Sequence, residues 1–229
     1  MDKLLDKYLN KNEKEEFLNI IEPIVNHYEF QRRMTKKFPH HSDITLGMHI
    51  LEVAILTYKK CKKLQLKNKK VDIKTAVYIA MMHDLYTVCW QNNNDANVKH
   101  FFNKHGFRHP LEATINSITW FNDLFNEQNS EILIDGILHH MYPLPIRKVT
   151  NNIDLELKNN KEYENLDIKY KEIIIKCTKR RSVFNISICK SKYIEGRIVS
   201  NCDKKVSFSQ IKNIDSLTSL ITGKNKSIM

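Results

Sequence analysis

The sequence predicts an all-α fold, and two observations support that prediction. The chain of 229 residues contains only 5 Gly and 5 Pro, too few for the many turns of a loop-rich β-sandwich. Successive segments place apolar residues three and four positions apart, which is the spacing of a helix with one buried face. No repeat or linker divides the chain, so we expect a single domain over residues 1–229.

In the first half of the chain, apolar spacing and polar caps indicate three helices. Residues 13–29 carry apolar side chains at helical spacing. After a linker, Asp43 is a candidate cap for the next helix, which begins near Leu46. Asp72 is a candidate cap for a third helix that ends near His83 and Asp84.

In the second half, three further helices and one strand are expected. Pro110 suits the first turn of a helix, where its missing N–H leaves no bond unmade. Ser130 is a candidate cap for a helix that reaches His139. Residues 183–188 alternate apolar and polar side chains, as in a short strand, and a helix from about Gly196 carries residue 203.

The charge balance indicates anionic ligands. The chain has 37 Lys and Arg against 26 Asp and Glu, a formal net charge of +11. Such an excess attracts phosphate-bearing small molecules or nucleic acid. Lysines crowd residues 59–70, which form either a solvated helix end or a binding surface. The chain has no RNA-binding motif, so nucleic acid is not the favoured partner.

Other features predict a cytoplasmic protein that does not enter a membrane. No run of eighteen apolar residues exists, and the charged N-terminus has no apolar signal-peptide core. The 5 cysteines are scattered without a CxxC pair, as expected for reduced thiols.

Imidazole and carboxylate side chains occur in a pattern that indicates a metal site. An ionised Asp84 at the end of an apolar stretch is costly unless it is paired or coordinates a metal. Adjacent helical residues point about 100° apart, so His83 and Asp84 reach one metal pair only if the helix ends there or if the metals lie between two helices. Such ligands suit divalent Fe, Mn, Ni, Co or Zn. The candidate ligands, in chain order, are His49, His83, Asp84, His109, His140 and Asp203.

These residues stand in strings that resemble HD-domain metal-dependent phosphohydrolases. The carrying strings are the His83–Asp84 doublet, His-Gly-Phe-Arg-His-Pro at 105–110, His-His-Met-Tyr-Pro-Leu at 139–144 and Asp-Lys at 203–204. The nearest resemblance is to small HD-domain proteins of low-GC Gram-positive bacteria, which also share the spacing of His41, Thr45 and His49. The resemblance implies an HD-type helical bundle, with a core at about 38–210 and with helices at 1–30 and 207–222 packed on it. Between its central helices it implies a site for divalent metal, with two ions expected.

The resemblance also implies roles. A phosphoester or phosphoanhydride bond of a nucleotide or other small phosphorylated molecule is cleaved by a metal-activated water. Asp84 is expected to be catalytic, with His41, His105 or His139 protonating the leaving group. His109 is preferred over His105 as a ligand, and His139 either joins His140 as a ligand or lies behind it. The candidate substrate-binding residues are Arg108, Arg147 and Lys204.

Departures from the family pattern leave alternatives open. Tyr86–Thr87 replaces the Gly-Lys of HD-GYP phosphodiesterases, and Val88-Cys89-Trp90 stands where the small relatives have Tyr-Asp-Trp. Hydrolysis of cyclic di-GMP of the HD-GYP type is therefore disfavoured. The alternatives are an HD-fold di-iron oxygenase, a metal-containing nucleotide sensor without turnover, and a structural protein with incidental histidines. The sequence does not determine the substrate, the metal or the oligomeric state.

Overall fold

The protein is described from a computed structural model that covers residues 1–40, 44–87, 104–147, 149, 161–184 and 186–210, without the side chains of residues 147 and 161. Helices dominate these residues, in agreement with the predicted all-α class. They are α1 Asp2–Tyr8, α2 Lys11–Val25, α3 Tyr28–Arg33, α4 Leu46–Gln65, α5 Ile73–Met82, α6 His105–Trp120, α7 Ser130–Leu138, α8 Lys161–Asn165, α9 Ile168–Lys179 and α10 Ile194–Gln210, with a 3₁₀ turn at Asn122–Leu124.

A small antiparallel sheet adds to the helices. Its strands are β1 Ile146–Arg147, β2 Ser182–Val183 and β3 Ile186–Ser187, in the order β1-β3-β2. Ile146 is opposite Ser187 in the β1–β3 pair, and Val183 is opposite Ile186 in the β2–β3 pair. The single strand predicted at 183–188 is not formed; β2 and β3 pair there as an antiparallel hairpin instead.

The core lies where the longest helices meet. Helix α4 packs along α5, α10 packs on both, and α7 contacts α5, α6 and α10. Helix α5 is apolar almost throughout, and its residues Ala76, Ile79 and Ala80 are fully buried. Burial of apolar surface stabilises the fold by about 25 cal/mol per Å², so this helix is most stable when it is surrounded on all sides. The end of α5 therefore lies inside the molecule.

Local hydrogen bonds explain where two central helices begin. The Asp72 side chain accepts from the backbone N–H of Thr75 at 3.2 Å, as predicted for the start of α5. At the start of α4 the capping oxygen belongs to Thr45, which accepts from Met48 N–H at 3.3 Å. The predicted cap, Asp43, lies outside the described residues.

Two predicted helix boundaries and one predicted cap are wrong. Ser130, the predicted cap of α7, is the first residue of that helix, and its hydroxyl donates to the Asn126 carbonyl at 2.6 Å instead of capping. Helix α6 begins at His105 rather than at Pro110, which lies inside it. Because Pro110 is only in the second turn, its missing N–H leaves one helical bond unmade and does not end the helix. The apolar run predicted as one helix over 13–29 is divided after Val25, because the His27 side chain accepts from Glu29 N–H and caps the new helix α3.

The two ends of the chain frame the core. The predicted N-terminal helical region is present as α1, α2 and α3. The first residues of the helix predicted at 207–222 form the end of α10, and those after 210 lie outside the described part. No helix among the described residues has the length and apolar character needed to cross a membrane.

Candidate metal centre

Five helices bring the predicted ligands to one buried region. His49 lies in the first turn of α4, His83 and Asp84 directly follow α5, and His109 lies near the start of α6. Each of these side chains is buried. The remaining two, His140 after α7 and Asp203 in the middle of α10, are buried as well. Residues up to 154 positions apart in sequence therefore meet in the core.

The end of α5 resolves the geometry of the His83–Asp84 doublet. Helix α5 ends at Met82 and His83 is its C-cap, so the doublet lies at the helix end, which is one of the two conditions derived from the sequence. His83 Nδ1 bonds the carbonyl oxygen of Ala80 at 2.7 Å, one of the carbonyls that a helix end leaves without an N–H partner. His140 repeats the arrangement after α7, with its Nδ1 2.7 Å from the carbonyl oxygen of Ile137. The same local device orients both histidines.

A first group of ligand atoms surrounds one oxygen of Asp84. His49 Nε2 lies 3.7 Å and His83 Nε2 3.6 Å from Asp84 Oδ2. Asp203 Oδ1 is 3.2 Å from His49 Nε2 and 3.7 Å from His83 Nε2. Ligands bound to one ion at about 2.1 Å lie about 3.0 Å apart at right angles and about 3.4 Å apart in a tetrahedron. The observed spacings fit one divalent ion.

A second group surrounds the other oxygen of Asp84. Asp84 Oδ1 is 3.3 Å from His109 Nε2 and 3.5 Å from His140 Nε2. The two Nε2 atoms are 3.0 Å from each other. The carboxylate of Asp84 thus faces one histidine set with each oxygen.

Hydrogen bonds on the far side of each ring determine which nitrogen can bind a metal. In His83, His109 and His140 the Nδ1 atom faces a backbone carbonyl, which can only accept, so Nδ1 carries the hydrogen. His49 Nδ1 lies 2.9 Å from Gln210 Oε1, the acceptor end of that amide, because Gln210 Nε2 donates to Glu52. In the neutral rings every Nε2 is left with a lone pair. This is the arrangement of metal-binding histidines, which donate their other N–H to an oxygen.

The residues present therefore fit a metal ion. Two Nε2 lone pairs 3.0 Å apart in His109 and His140 repel each other unless a proton or cation lies between them. His83 Nε2 is buried and has no hydrogen-bond partner within the described part of the chain. Divalent cations bound in the two groups would satisfy these nitrogens and would neutralise the charges of Asp84 and Asp203.

Electrostatics in the metal-free protein point the same way. Burial by itself raises the pKa of the Asp84 and Asp203 carboxyls, but the surrounding histidines outweigh burial and hold both pKa values well below their usual range. Burial also lowers the pKa of His83, yet the two carboxylates raise it to about 9. Burial lowers the pKa of His140. The site is thus built to hold two carboxylate charges next to positive charge.

Side chains from α3 and α6 hold the segment that carries Asp84. The buried Arg33 guanidinium donates to the carbonyl of Tyr86. Asn116 Nδ2 donates to the carbonyl of Leu85 at 2.6 Å, and Glu112 accepts from Thr87 N–H at 2.8 Å. Because three side chains fix backbone groups of residues 85–87, the segment next to Asp84 is held by contacts with α3 and α6.

The predicted catalytic and substrate-binding residues differ in how close they lie to the candidate metal centre. His105 lies beside the centre, its ring stacked on His109 with centroids 5.0 Å apart, and burial lowers its pKa well below the usual range. Lys204 follows Asp203 and donates to Ser200 Oγ at 2.9 Å, with its pKa lowered by burial. Arg108 is exposed on α6. His41 and the side chain of Arg147 lie outside the described residues.

His139 belongs to another network. Its Nδ1 lies 3.2 Å from Asp135 Oδ1 and 3.2 Å from an Arg180 nitrogen. Asp135 also accepts from Ser191 Oγ at 2.6 Å and from Lys192 N–H at 2.8 Å. The structure therefore separates the two neighbouring histidines. His140 faces Asp84, while His139 helps join α7 to α9 and to the start of α10 through Asp135 and Arg180.

Sequence reasoning missed two residues of the centre. Gln210 bonds His49 and is only 4% exposed. His40, in the predicted linker, has a ring nitrogen within 4.8 Å of ligand atoms of His49 and Asp84. The His40–His41 pair was a visible signal, but spacing directed attention to His41. No local pattern marks Gln210, 161 residues from its partner.

Comparison with known proteins adds no relative. No protein-family model, no curated protein and no solved structure matches the chain. The assignment of the centre therefore rests on the geometry above, which shows buried His and Asp clusters that could hold metal.

Proposed function

We propose that this chain is an HD-type, metal-dependent phosphohydrolase with two divalent ions, acting on a phosphoester or phosphoanhydride bond of a nucleotide or other small phosphorylated molecule. The observation that carries the proposal is the carboxylate of Asp84, whose two oxygens face different histidine sets. A carboxylate shared in this way is the natural bridge between two ions. A structural metal site needs only one closed set of ligands.

The order and location of the ligands add support. The first group consists of His49, His83, Asp84 and Asp203, and the second of Asp84, His109 and His140. The second group offers fewer protein ligands, which leaves room there for water and substrate, as catalytic metal sites require. The order along the chain is that of the HD strings.

The chemistry follows from these residues. Divalent ions held by these residues would lower the pKa of a coordinated water from about 15.7 towards about 7, which would make hydroxide available at neutral pH. Asp84 and Asp203 fix the centre and balance its charge. Lys204, half-buried next to Asp203, supplies a positive charge that can stabilise a phosphoryl oxygen. His105, stacked on His109, is our candidate to contact the leaving group.

The test combines metal content with turnover on the same preparation. Full-length protein without a histidine tag is analysed for metals and assayed with bis-p-nitrophenyl phosphate and a set of nucleotides, with Mn, Fe, Ni, Co or Zn added. We expect two metal equivalents and release of p-nitrophenol or phosphate. Asp84→Asn is expected to lose turnover, whereas Asp123→Asn, an exposed carboxylate in the 3₁₀ turn, retains it.

Three outcomes contradict the proposal. Equal turnover in Asp84→Asn and wild type removes the bridging role. Two iron equivalents with oxygen consumption and no hydrolysis indicate an oxygenase. Metal and nucleotide binding without any turnover indicates a sensor.

A further inference from the structure

His40 lies next to the centre although no ligand string includes it. The short loop between α3 and α4 is closed by two backbone bonds, from His40 N–H to the Ile44 carbonyl at 2.8 Å and from Leu46 N–H to the Phe38 carbonyl at 2.8 Å. Pro39 and Thr45 form the β-bridge between them. The backbone of His40 is thereby fastened to the first turn of α4, the turn that carries His49.

The His40 ring is directed at the first group of ligands. Its centroid is 4.1 Å from that of His49, with the planes inclined by 37°. Its Nδ1 lies 3.4 Å from the Tyr86 hydroxyl. One of its ring nitrogens is within 4.8 Å of a ligand atom of His49 and of a carboxylate oxygen of Asp84, and these two atoms are within 4.8 Å of each other. The ring is therefore held from one side by Tyr86 and reaches the centre.

The shared atoms decide to which ion His40 belongs. His49 Nδ1 is engaged by Gln210, so His49 Nε2 is its ligand atom. That atom is 3.2 Å from Asp203 Oδ1 and 3.7 Å from Asp84 Oδ2. His49 belongs to the first group alone, so the cluster of His40, His49 and Asp84 adjoins the first group rather than the second.

We propose that His40 is a further protein ligand of the ion in the first group, an inference that rests on the proposed metal pair. The first ion then has five protein groups, His40, His49, His83, Asp84 and Asp203, against three for the second. Because five protein groups would leave little space at the first ion for other ligands, water and substrate would bind mainly at the second. The first ion would chiefly hold Asp84 in place.

Cobalt provides the test, because the visible spectrum of Co²⁺ depends on the number and type of its ligands. Metal-free, full-length, untagged protein is titrated with CoCl₂ while absorbance and stoichiometry are recorded. We expect two equivalents in wild type. In His40→Ala we expect one of the two ions to bind at least about 10-fold more weakly, since even outer-shell partners contribute about 10–100-fold to metal affinity, and its spectrum to change. Lys37→Ala, an exposed position in the same loop, controls for disturbance of the loop and is expected to match wild type.

The outcomes separate the inference from the proposed function. A His40→Ala protein with the Co²⁺ spectrum and affinity of wild type overturns the role of His40 and leaves the metal pair intact. A wild-type protein that binds no Co²⁺ overturns both. If circular dichroism shows that His40→Ala is unfolded, His40→Gln, which can still bond the Tyr86 hydroxyl, replaces it. In that variant an unchanged spectrum overturns the inference in the same way.

Discussion

Gln210 provides the sharpest test of how the centre is held. Its Oε1 accepts from His49 Nδ1 at 2.9 Å, and its Nε2 donates to Glu52 at 2.8 Å. Glu52 in turn accepts from the Tyr8 hydroxyl at 2.6 Å. The end of α10 is thus joined through α4 to α1. Gln210→Leu preserves the approximate volume of the side chain and removes both of its hydrogen bonds.

The expected loss of stability follows from the His49 N–H group that Gln210→Leu leaves without an acceptor. His49 is fully buried, so its Nδ1–H loses a partner that water does not readily replace, at a cost of about 1–3 kcal/mol in the metal-free protein. Loss of an outer-shell partner lowers metal affinity by about 10–100-fold, which corresponds to about 1.4–2.8 kcal/mol. We expect Gln210→Leu to fold, to be less stable and to bind the first ion more weakly by this amount.

Two measurements on the same protein test this expectation. Urea unfolding of the metal-free chain gives the change in stability, and a Co²⁺ titration gives the change in affinity. Ser209→Ala is the matched control, because the exposed Ser209 bonds only the Val206 carbonyl of its own helix. Equal Co²⁺ affinity in Gln210→Leu and wild type would refute the reasoning that the Nδ1 bond orients His49 for metal.

Three further predictions concern the charges. The pKa of His83 is raised to about 9, so a metal ion must displace its proton to bind. The affinity for Co²⁺ should therefore rise by up to about tenfold per pH unit between pH 6.5 and 9. Calorimetry in buffers of different ionisation enthalpy measures the released proton, and an affinity that does not change with pH contradicts the prediction. Asp203→Asn should weaken the binding of one Co²⁺ ion and leave the other unchanged, since Asp203 lies in the first group alone. Equal weakening of both ions, or of neither, counts against two separate groups. Burial lowers the pKa of His139, but Asp135 and its neighbours raise it to about 9. The stabilisation by His139 is therefore complete below about pH 6.5 and is lost as the pH rises through 9. In His139→Ala, urea unfolding should show a lower free energy of unfolding at pH 6 and a smaller fall in that free energy towards pH 9 than in wild type, with two Co²⁺ still bound. A fall as steep as that of wild type argues against the interaction between His139 and Asp135.

Features that depend on near neighbours were predictable from the sequence. The Asp72 cap was predicted because the capping oxygen reaches the N–H of Thr75, three residues away. The His83–Asp84 doublet required the helix to end there or the metals to lie between helices, and α5 ends one residue before it. The start of α6 was misplaced because Pro110 marks a helix start only on average. Nothing in the local pattern forbids one unmade bond in the second turn.

The choice between adjacent histidines was not predictable. His139 and His140 stand in the same string, and each bonds a carbonyl of its own helix, Asp135 and Ile137 respectively. Their partners outside the helix differ: His139 lies next to Arg180, and His140 lies next to Asp84. Only the packing of α9 and α5 against α7 establishes those positions.

The sequence by itself determined the helical periodicity, the Asp72 cap and the supply of imidazole and carboxylate groups. Those properties follow from side chains three or four positions apart, within reach of hydrogen bonds along one helix. Only the tertiary structure decided that the Nε2 atoms converge, that Asp84 divides its two oxygens between them, and that His40 and Gln210 join the centre. Convergence depends on how helices far apart in sequence pack, and the apolar core that sets this packing leaves no local mark at the ligands.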